Sequence, residues 1–491
     1  MDVLIVGAGP TGLTLAVDLT RRGVRAHVVE AADRQSCGGS RGKSLQPRTQ
    51  EIFDDLGVMD ALRDVGGPFP PMQTWRDGRR DGEWQLVERD PRAPASRYPD
   101  PWLVPQWRTQ EILRDRLEAS GTAVQYGTRL TSLRQTDRHV RAELTHADGS
   151  RRTLTVPFLV GADGGHSTVR EELGVTMKDS GEDLHAAIVA DVRVRGLDRD
   201  HWHIWPDGPG GGLLLCPLPG TDYFRLNARP MDEDSDLTPR RVRALVAART
   251  HLSADAVIDV PWSSYYRPRT ALAECFRKGR VFLAGDAAHI HSPGGGQGLN
   301  IGVQDAYNLG WKLGQVLRHH APEALLDSYD AERRPAAADV LELSSLLYRL
   351  GRGPQGNSAR TRHRARLTLL LVHYRDSPLS TEARERLTAT TVQAGDRAPD
   401  LKGAFMEGTT AHDTLRHLSE LIKGPHFTLL AVNDPPPRMP QAVRTLRVTG
   451  GALAQALGAG LFLIRPDGHI GLATRDPAHL ERYLAKVHRT D

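Results

Sequence analysis

Cysteine is scarce in this sequence, and long apolar runs are absent from it. The 491 residues include three cysteines, Cys37, Cys216 and Cys275, whose scattered positions exclude a disulfide framework and fit no metal-ligand spacing. No apolar run approaches the ~18 residues that a membrane span needs. The first strand signal begins at residue 2 with no basic segment before it, which predicts no secretory signal. We therefore expect a cytoplasmic protein that has no metal site and no membrane partner.

Aromatic residues and lysine are also few. Aromatic residues make up 5% of the chain, and only 7 of its 64 basic residues are lysine. The net charge of +4 is small for this length, so the composition does not indicate a nucleic-acid partner. A hydrophobic content of 39% and a charged content of 25% are typical of globular proteins. The length predicts about two to four domains.

The first thirty residues carry a dinucleotide-binding pattern. An apolar strand leads into Gly7, Gly9 and Gly12 in G-x-G-x-x-G spacing, then a helix and a second strand follow, and Glu30 ends that strand. The first glycine allows a tight turn, the second lets a pyrophosphate approach the backbone, and the third lets the helix pack closely on the strand. The helix N-terminus offers N–H donors. An acidic residue about 20 positions on can bind a ribose hydroxyl pair, and Glu30 is placed for this.

Two later stretches also run from an apolar strand into a glycine turn. Residues 158–170 lead from a strand into Asp163 and Gly164, so Asp163 can face a ligand at the carboxyl edge of a sheet. A strand at 280–284 leads into Gly285 and Asp286, and a glycine-rich loop and a long helix follow. Asp286 is placed to accept a hydrogen bond from a sugar or ribitol hydroxyl. The loop offers N–H donors and a positive dipole end to an anionic ring or phosphate.

The remaining regions have a different character. Residues 184–268 predict a mostly antiparallel sheet with one buried face. Its strands are predicted at 187–194, 201–205, 213–218 and 223–228, with a helix at 239–248 lying on the sheet. Beyond 350 the sequence predicts an irregular stretch to 364, helices over 366–387 and a further small domain from Gly395. The predicted elements of that domain are strands at 427–432, 460–464 and 470–473 and a last helix at 477–487.

The three glycine motifs together resemble the flavoprotein aromatic hydroxylases, the group A single-component FAD monooxygenases. The most specific part is GDAAHIHSPGGGQGLNIGVQDAYNLGWKL at 285–313, and the resemblance extends over nearly the whole chain. It is greatest to bacterial polyketide and phenol hydroxylases with a thioredoxin-like C-terminal domain. The C-terminal domain of this chain has no Cys-x-x-Cys, which excludes thiol redox catalysis there.

The resemblance implies an α/β fold built around a Rossmann-like FAD-binding domain of the glutathione-reductase-like, para-hydroxybenzoate hydroxylase type. That domain is expected at 1–68, 101–180 and 269–350, with an inserted, mostly antiparallel substrate-binding sheet at 69–100 and 181–268. A helical linker is expected at 351–394 and a thioredoxin-like domain at 395–491. The protein is expected to be a monomer or a homodimer.

The resemblance also implies which residues bind FAD. The ADP half would contact Gly7, Gly9, Pro10, Thr11, Gly12, Glu30 and Ala31. The flavin, its phosphates and the ribitol would contact Arg41, Gln106, Leu130, Asp163, Gly164, Gly285 and Asp286. The isoalloxazine ring would be lined by Pro293, Gly296, Gly298, Leu299 and Asn300. In the family, the motif at Asp163 is also tied to the use of NADPH or NADH as a transient electron donor.

The implied reaction is the insertion of one O2 oxygen into a phenolic or polycyclic aromatic compound, a polyketide or an antibiotic, through the flavin C4a-hydroperoxide. No catalytic base can be assigned from the sequence, and the candidates for a catalytic role are Arg41, His203, Tyr223, Arg225, Tyr265 and His289. The substrate pocket is expected between sheet and flavin. Its predicted lining is Trp205 (or Trp202), Leu213, Leu215, Phe224, Pro293 and Gly294.

Other reactions use the same flavin-binding fold. A flavin-dependent halogenase is excluded because the W-x-W-x-I-P signature is absent. Baeyer–Villiger oxidation, epoxidation and the inactivation of an antibiotic are all compatible with the sequence. A flavin-binding sensor without turnover is the alternative that is not an enzyme.

Overall fold

The computed structural model describes residues 1–34, 39, 42–86, 94–179, 185–230, 237–351, 354–385, 387–388, 391–407, 410–411 and 415–488. Cys37 and Arg41 lie outside the described residues, so the predicted roles of Arg41 stay predictions. None of the helices in these ranges is long and apolar enough to cross a membrane. Within the same ranges, no group of three or more His, Cys, Asp or Glu side chains is arranged to hold a metal ion.

A six-stranded sheet forms the centre of the nucleotide-binding unit. Its strands lie in the order Arg277–Lys278, Val281–Leu283, Phe158–Gly161, Val3–Val6, Ala26–Val29 and Val124–Gln125. The pairs are parallel, except that Arg277–Lys278 runs antiparallel to its neighbour. Val3–Val6 is buried throughout, which is why a central strand of a parallel sheet has a continuous apolar sequence. The carboxyl ends of the central strands share one edge, and all three glycine motifs lie there.

Helices and small sheets complete this unit. The helices are Pro10–Arg21, Pro47–Asp55, Met59–Val65, Gln106–Glu118, Thr168–Glu172, Gly298–Arg318 and Asp327–Leu350. An antiparallel meander contains Thr128–Gln135, Val140–His146 and Arg151–Val156. There are also two three-stranded sheets. The first contains Ser44–Leu45, Trp102–Leu103 and Gly67–Pro68, and the second contains Met177–Asp179, Ala271–Ala273 and His289–Ile290.

A seven-stranded sheet, the substrate sheet, lies beside the nucleotide-binding unit. Its order is Val257–Tyr266, Ala187–Val194, Phe224–Ala228, Leu213–Pro217, Trp202–Trp205, Met72–Arg76 and Arg79–Trp84. Every pair is antiparallel except Trp202–Trp205 with Met72–Arg76. The four strands predicted between 187 and 228 are all present. Helix Pro239–Arg249 covers one face of the sheet, as its predicted position required.

The predicted helices over 366–387 are wrong. Helices Pro354–Arg362 and Arg364–Leu367 form earlier in the chain, and residues 368–385 contain turns and the short strand Thr381–Glu382. Leu369 has a φ of +59°, which is incompatible with a continuing helix. Tertiary hydrogen bonds hold this stretch instead, including one from the Tyr374 N–H to the Gly395 carbonyl at 2.8 Å. The linker is therefore only partly helical.

The C-terminal unit contains a mixed sheet with three helices against it. The strands lie in the order Thr381–Glu382, Ile470–Thr474, Gly460–Ile464, Phe427–Val432, Val443–Gly450, Lys402–Glu407 and Thr410–Ala411, with Arg416–His417 beside Lys402–Glu407. The helices are Leu418–Leu421, Gly451–Leu457 and Ala478–Val487. The strands predicted at 427–432, 460–464 and 470–473 and the last helix are confirmed. Because Thr381–Glu382 joins this sheet, the boundary at 395 and the thioredoxin-like assignment stay predictions.

Candidate functional site

Glycines bring the first strand, the first helix and a neighbouring strand into close contact. A Cβ on Gly7 would lie 2.3 Å from the Ala162 carbonyl oxygen, and a Cβ on Gly12 would lie 2.1 Å from the Gly7 carbonyl oxygen. Gly7 also has a φ of +105°, a conformation that favours glycine. In contrast, a Cβ on Gly9 would meet no protein atom within 4 Å. Gly9 therefore borders open space directly before helix Pro10–Arg21, where a pyrophosphate can approach the backbone.

Glu30 lies just after the second strand, as predicted. Its carboxylate accepts hydrogen bonds from the backbone N–H groups of Ala8 at 2.8 Å and Ala32 at 3.0 Å. Each carboxylate oxygen accepts one of these bonds and keeps a lone pair for a ribose hydroxyl. Pro10 is the first residue of the helix, and Ala31 is exposed beside Glu30. This end of the sheet edge can therefore hold the ADP half of a dinucleotide.

Asp286 projects from a short turn, Gly285–Ala287, at the same sheet edge. It is exposed, whereas Gly285 and Ala287 are buried. The Gly285 N–H donates to Asp305 Oδ2 at 3.0 Å, and a Cβ on Gly285 would lie 2.6 Å from Thr11 Oγ1. The turn is therefore fixed from two sides, while the Asp286 carboxylate remains at the surface of the site.

Asp305 is the buried centre of a hydrogen-bond network behind this turn. Besides the Gly285 N–H, its carboxylate accepts bonds from His289 Nε2 at 2.5 Å and from Arg333 Nε at 2.8 Å. Burial would raise the pKa of Asp305, but His289 and Arg333 outweigh burial and lower the pKa below its ordinary value. The carboxylate is therefore ionised at neutral pH and holds the turn in place.

Asn300 anchors the glycine loop, residues 293–298, to a neighbouring strand. Its Oδ1 accepts from the Gln46 N–H at 2.8 Å, and its Nδ2 donates to the carbonyls of Ser44 at 2.9 Å and Gly296 at 2.8 Å. The buried side chain of Asn300 is thus occupied by the protein itself. Its backbone N–H lies in the first turn of helix Gly298–Arg318, where N–H groups have no partner within the helix.

The rest of the loop is closely packed on one side and open on the other. A Cβ on Gly294 would lie 2.2 Å from the Ser344 carbonyl oxygen, whereas Pro293 and Gly296 are exposed. Gln106 and Leu299 meet at Gly42: the Gly42 N–H donates to Gln106 Oε1 at 2.9 Å, and a Cβ on Gly42 would lie 3.3 Å from Leu299 Cδ1. The sequence-predicted residues of this loop are therefore brought together.

Two predicted cofactor residues have structural partners instead. Asp163 accepts hydrogen bonds from Ser167 Oγ at 2.5 Å and from the Val169 N–H at 3.1 Å, so it caps the start of a helix. Burial raises the pKa of Asp163. Gly164, with a φ of +81°, continues the turn. Leu130 is 1% exposed in the core of the nucleotide-binding unit, so its side chain faces the core and not the sheet edge.

These features fit FAD. Open space at Gly9, the carboxylate of Glu30 and the exposed Asp286 lie at one sheet edge in the order that an ADP group and a ribitol chain require. Ser292 Oγ, directly before the glycine loop, and Gln297 Oε1, on the loop, are buried and have no hydrogen-bond partner in the part of the chain that the structure describes. Buried polar atoms are normally paired, so these two atoms are consistent with a polar ligand that completes the site.

Both histidine candidates for a catalytic role are enclosed. His203 is fully buried, accepts from Trp75 Nε1 at 3.0 Å and bonds the Asp198 carbonyl at 2.9 Å through Nε2. Burial lowers the pKa of His203. His289 is fully buried against Asp305. Since the protein occupies these imidazoles, neither is placed to act as a base on a substrate.

The tyrosine candidates also have structural roles. The Tyr223 hydroxyl donates to Asp259 Oδ2 at 2.9 Å, and this bond raises the pKa of Tyr223. Tyr265 packs against the core under helix Pro239–Arg249. Arg225 follows Tyr223 by two residues on the sheet face opposite helix Pro239–Arg249, where its Nε donates to Asp191 Oδ1 at 2.7 Å.

Four residues of the predicted pocket lining lie on the face of the substrate sheet that helix Pro239–Arg249 covers, whereas Trp202 lies on the other face. Trp205, Leu213, Leu215 and Phe224 pack into the hydrophobic core between the sheet and helix Pro239–Arg249. Side chains alternate between faces along a strand, so their neighbours in sequence point the other way. The alternating apolar residues of these strands therefore form the hydrophobic core of the sheet and not a ligand-binding surface.

The opposite face, the inner face, meets the nucleotide-binding unit. Arg225, Asp191 and Trp262 share it, because Asp191 pairs with both other residues across the sheet. The guanidinium of Arg225 lies 5.6 Å from the Trp262 ring centroid. The Trp262 ring closely contacts Gly39, and Lys43 lies 4.6 Å from the ring of Trp202. Gly39 and Lys43 of the nucleotide-binding unit therefore lie against the inner face of the substrate sheet.

Sequence reasoning missed Asp191, Trp262, Asp305 and Arg333. Asp305 had a local signal, since it is an acidic residue among apolar residues of a helix that is buried through most of its length. Asp191 likewise interrupts an apolar strand. Their partners lie 28 and 34 positions away, and no spacing rule connects them.

Comparisons with known proteins agree with an FAD-binding unit. The FAD binding domain family matches residues 1–344. A flavin-dependent monooxygenase of Mycobacteroides abscessus is 40% identical over 99% of this chain and 100% of its own length. The 6-methylpretetramide 4-monooxygenase of Streptomyces rimosus is 36% identical over 96% of this chain and 90% of its own length.

A solved structure extends the comparison to three dimensions. The ternary complex of aklavinone-11 hydroxylase with FAD and aklavinone has a TM-score of 0.81 and 27% identity, and covers 99% of this chain and 98% of that chain. The α/β fold class with its FAD-binding domain, inferred from the sequence, is thereby confirmed, while the thioredoxin-like assignment stays a prediction. The chain belongs to the FAD-binding family of flavin-dependent aromatic monooxygenases.

Proposed function

We propose that the protein inserts one oxygen atom of O2 into a phenolic, polycyclic aromatic compound, a polyketide or an antibiotic, with NADPH or NADH as electron donor. The observation that carries the proposal is the inner face of the substrate sheet, which presents an indole and a buried ion pair toward the FAD side. The names of two similar proteins, 6-methylpretetramide 4-monooxygenase and aklavinone-11 hydroxylase, support a large aromatic substrate.

The cofactor and the protein contribute different parts of the proposed reaction. When bound, FAD would supply the activation of O2, one atom of which enters the substrate while the other leaves as water. The chain contributes the first-turn N–H groups of helix Gly298–Arg318, which favour negative charge at the helix N-terminus. The glycine loop, anchored through Asn300, presents Pro293 and Gly296 to the site. The substrate sheet lies beside this edge, where Lys43 is 4.6 Å from the ring of Trp202.

The inner face can orient an oxygenated aromatic ring. Trp262 offers an aromatic surface beside Arg225, and Asp191 fixes the Arg225 guanidinium. Asn227 lies two residues after Arg225 on the same face, and its buried Nδ2 has no hydrogen-bond partner among the described residues. An amide donor in this position can bind a carbonyl or phenol oxygen of the substrate. The face thus combines stacking with polar recognition.

Replacing Trp262 with alanine is expected to raise the KM for the aromatic substrate about tenfold, since an aromatic contact contributes about 0.5–1.5 kcal/mol beyond the area it buries. FAD content should not change. Steady-state kinetics with the flavin-loaded enzyme measure the effect. The matched control is Trp205→Phe on the opposite face, where Trp205 stacks on Trp75 at 6.0 Å between ring centroids. An equal rise in KM in both variants would contradict the assignment of the inner face.

The reaction itself is tested by three measurements on one preparation. Flavin absorbance reports bound FAD, and oxidation of NADPH or NADH is followed with and without a panel of polycyclic phenols. Mass spectrometry under ¹⁸O2 then tests for one labelled oxygen in the product. A protein that takes up no FAD refutes the proposal. Bound FAD without substrate-stimulated oxidation points to a sensor or to another class of substrate.

The structure of the labelled product separates the remaining alternatives. A new phenol defines hydroxylation, whereas an ester or lactone defines Baeyer–Villiger oxidation and an oxirane defines epoxidation. If the panel includes an antibiotic, loss of its growth inhibition after turnover identifies inactivation.

A further inference from the structure

Residues 364–374, which we call the brace, connect the last long helix of the nucleotide-binding unit to the C-terminal unit. The brace contacts the glycine loop directly. Gln297 Nε2 donates to the Leu367 carbonyl at 3.1 Å, and a Cβ on Gly295 would lie 2.9 Å from Leu367 Cδ2. Both contacts lie on the packed side of the loop, so the brace limits how far the loop can move.

The brace also reaches the turn that presents Asp286. The Tyr374 hydroxyl accepts a hydrogen bond from Arg333 Nη1 at 2.8 Å, and Arg333 Nε donates to Asp305 Oδ1 at 2.8 Å. Asp305 Oδ2 then accepts from the Gly285 N–H at 3.0 Å. Three successive hydrogen bonds therefore lead from Tyr374 to the backbone of the turn. The side chains of Tyr374, Arg333 and Asp305 are all buried, so water does not compete for these hydrogen bonds.

The C-terminal unit holds the other side of Tyr374. The Tyr374 ring lies 4.3 Å from the His469 ring, measured between centroids. His469 Nε2 hydrogen-bonds the Val372 carbonyl at 3.3 Å, and the Tyr374 N–H donates to the Gly395 carbonyl at 2.8 Å. The turn at 465–469 therefore fixes the brace from outside the nucleotide-binding unit.

We propose that Tyr374 is a positioning residue for FAD and that the brace makes the C-terminal unit part of the cofactor site. Without the Tyr374 hydroxyl, Arg333 loses a hydrogen-bond partner, and the Asp305 carboxylate is no longer held in line with the Gly285 N–H. The turn then presents Asp286 less rigidly to the ribitol side of FAD. The inference rests on the FAD-binding assignment and goes beyond the proposed reaction, because it makes cofactor retention depend on the C-terminal unit.

The test is Tyr374→Phe in the full chain, with FAD removed and titrated back. We expect the FAD Kd to rise about tenfold, as for the loss of one hydrogen bond to a charged group. Hydrogen exchange at the Gly285 N–H in the apoprotein should become faster. The matched control is Tyr483→Phe, which removes a buried hydroxyl that donates to the Leu379 carbonyl at 2.9 Å within the C-terminal unit. It should leave both quantities unchanged.

Each outcome is decisive. A raised Kd and faster Gly285 exchange in Tyr374→Phe alone support the inference. An unchanged Kd in Tyr374→Phe, or an equal rise in Tyr483→Phe, overturns it. Exchange in the apoprotein needs no cofactor, so a global loss of stability is recognised by faster exchange throughout the sheet. If the wild-type protein takes up no FAD, the proposed function fails and the inference fails with it. Bound FAD with an unchanged Kd in Tyr374→Phe overturns the inference alone.

Discussion

Replacing Glu332 with glutamine is expected to destabilise the protein by about 3–5 kcal/mol, the cost of removing one partner from a buried ion pair. Arg465 Nη1 and Nη2 donate to the two Glu332 oxygens at 2.6 and 2.9 Å, and Lys312 Nζ donates to Oε2 at 2.8 Å. All three side chains are 0% exposed. Glutamine keeps the shape but removes the charge, which leaves two buried cations opposite Asp467 alone.

Urea denaturation of the apoprotein, followed by far-UV circular dichroism, measures the effect. The matched control is Asp339→Asn on the same helix, whose carboxylate is 64% exposed and pairs with Arg366 at 2.6 Å. An exposed pair of this kind contributes less than about 1 kcal/mol. If both variants shift the unfolding midpoint by the same amount, the buried cluster does not stabilise the junction between the units.

The same cluster predicts how stability depends on pH. Burial would raise the pKa of Glu332, but the charges of Arg465 and Lys312 outweigh burial and hold it well below its ordinary 4.5. Stabilisation by Glu332 is therefore complete above the unfolded-state pKa and is lost as the pH falls below it, because the unfolded chain then binds a proton first. The difference in unfolding free energy between wild type and Glu332→Gln should shrink as the pH falls below 4.5. A constant difference at acid pH would refute this.

The nucleotide-binding edge could be predicted because its signals are local. Gly7, Gly9 and Gly12 lie within six residues. In the structure Gly7 and Gly12 form the tight turn and the close helix packing that the motif implies, and Gly9 borders open space. Alternation likewise located the strands of the substrate sheet. It could not select the inner face, because a period of two defines two faces equally well. Helix Pro239–Arg249 makes that choice by covering Trp205 and Phe224.

The buried networks could not be predicted because their members are far apart in sequence. Arg465 and Glu332 are separated by 133 positions, and their pairing depends on how the C-terminal unit packs. The wrong helices over 366–387 have the same origin. Ser377 donates to Glu332 Oε1 at 2.6 Å and Tyr374 accepts from Arg333, so tertiary bonds set the backbone of this stretch. Local helix propensity does not depend on Glu332 or Arg333, so it could not predict these bonds.

The glycine turn gives a prediction that separates cofactor binding from folding. In Gly12→Ala, the new Cβ would lie 2.1 Å from the Gly7 carbonyl oxygen. Gly7 cannot move away, since the Ala162 backbone packs against its other side. We expect this variant to lose both stability and FAD. In Gly9→Ala, the new Cβ meets no protein atom within 4 Å and the backbone φ of −69° suits alanine, so the apoprotein should keep its stability to within about 1 kcal/mol.

FAD binding to Gly9→Ala should nevertheless weaken at least tenfold. The methyl group enters the space where the pyrophosphate approaches the helix N-terminus, and one lost charge-assisted hydrogen bond of about 1.5–3 kcal/mol changes Kd by tenfold or more. Fluorescence titration of each apoprotein with FAD, beside its thermal melting curve, gives the two quantities independently. An unchanged FAD Kd in Gly9→Ala would place the pyrophosphate elsewhere. A melting temperature as low as that of Gly12→Ala would mean that protein atoms, not a ligand, fill the space beside Gly9.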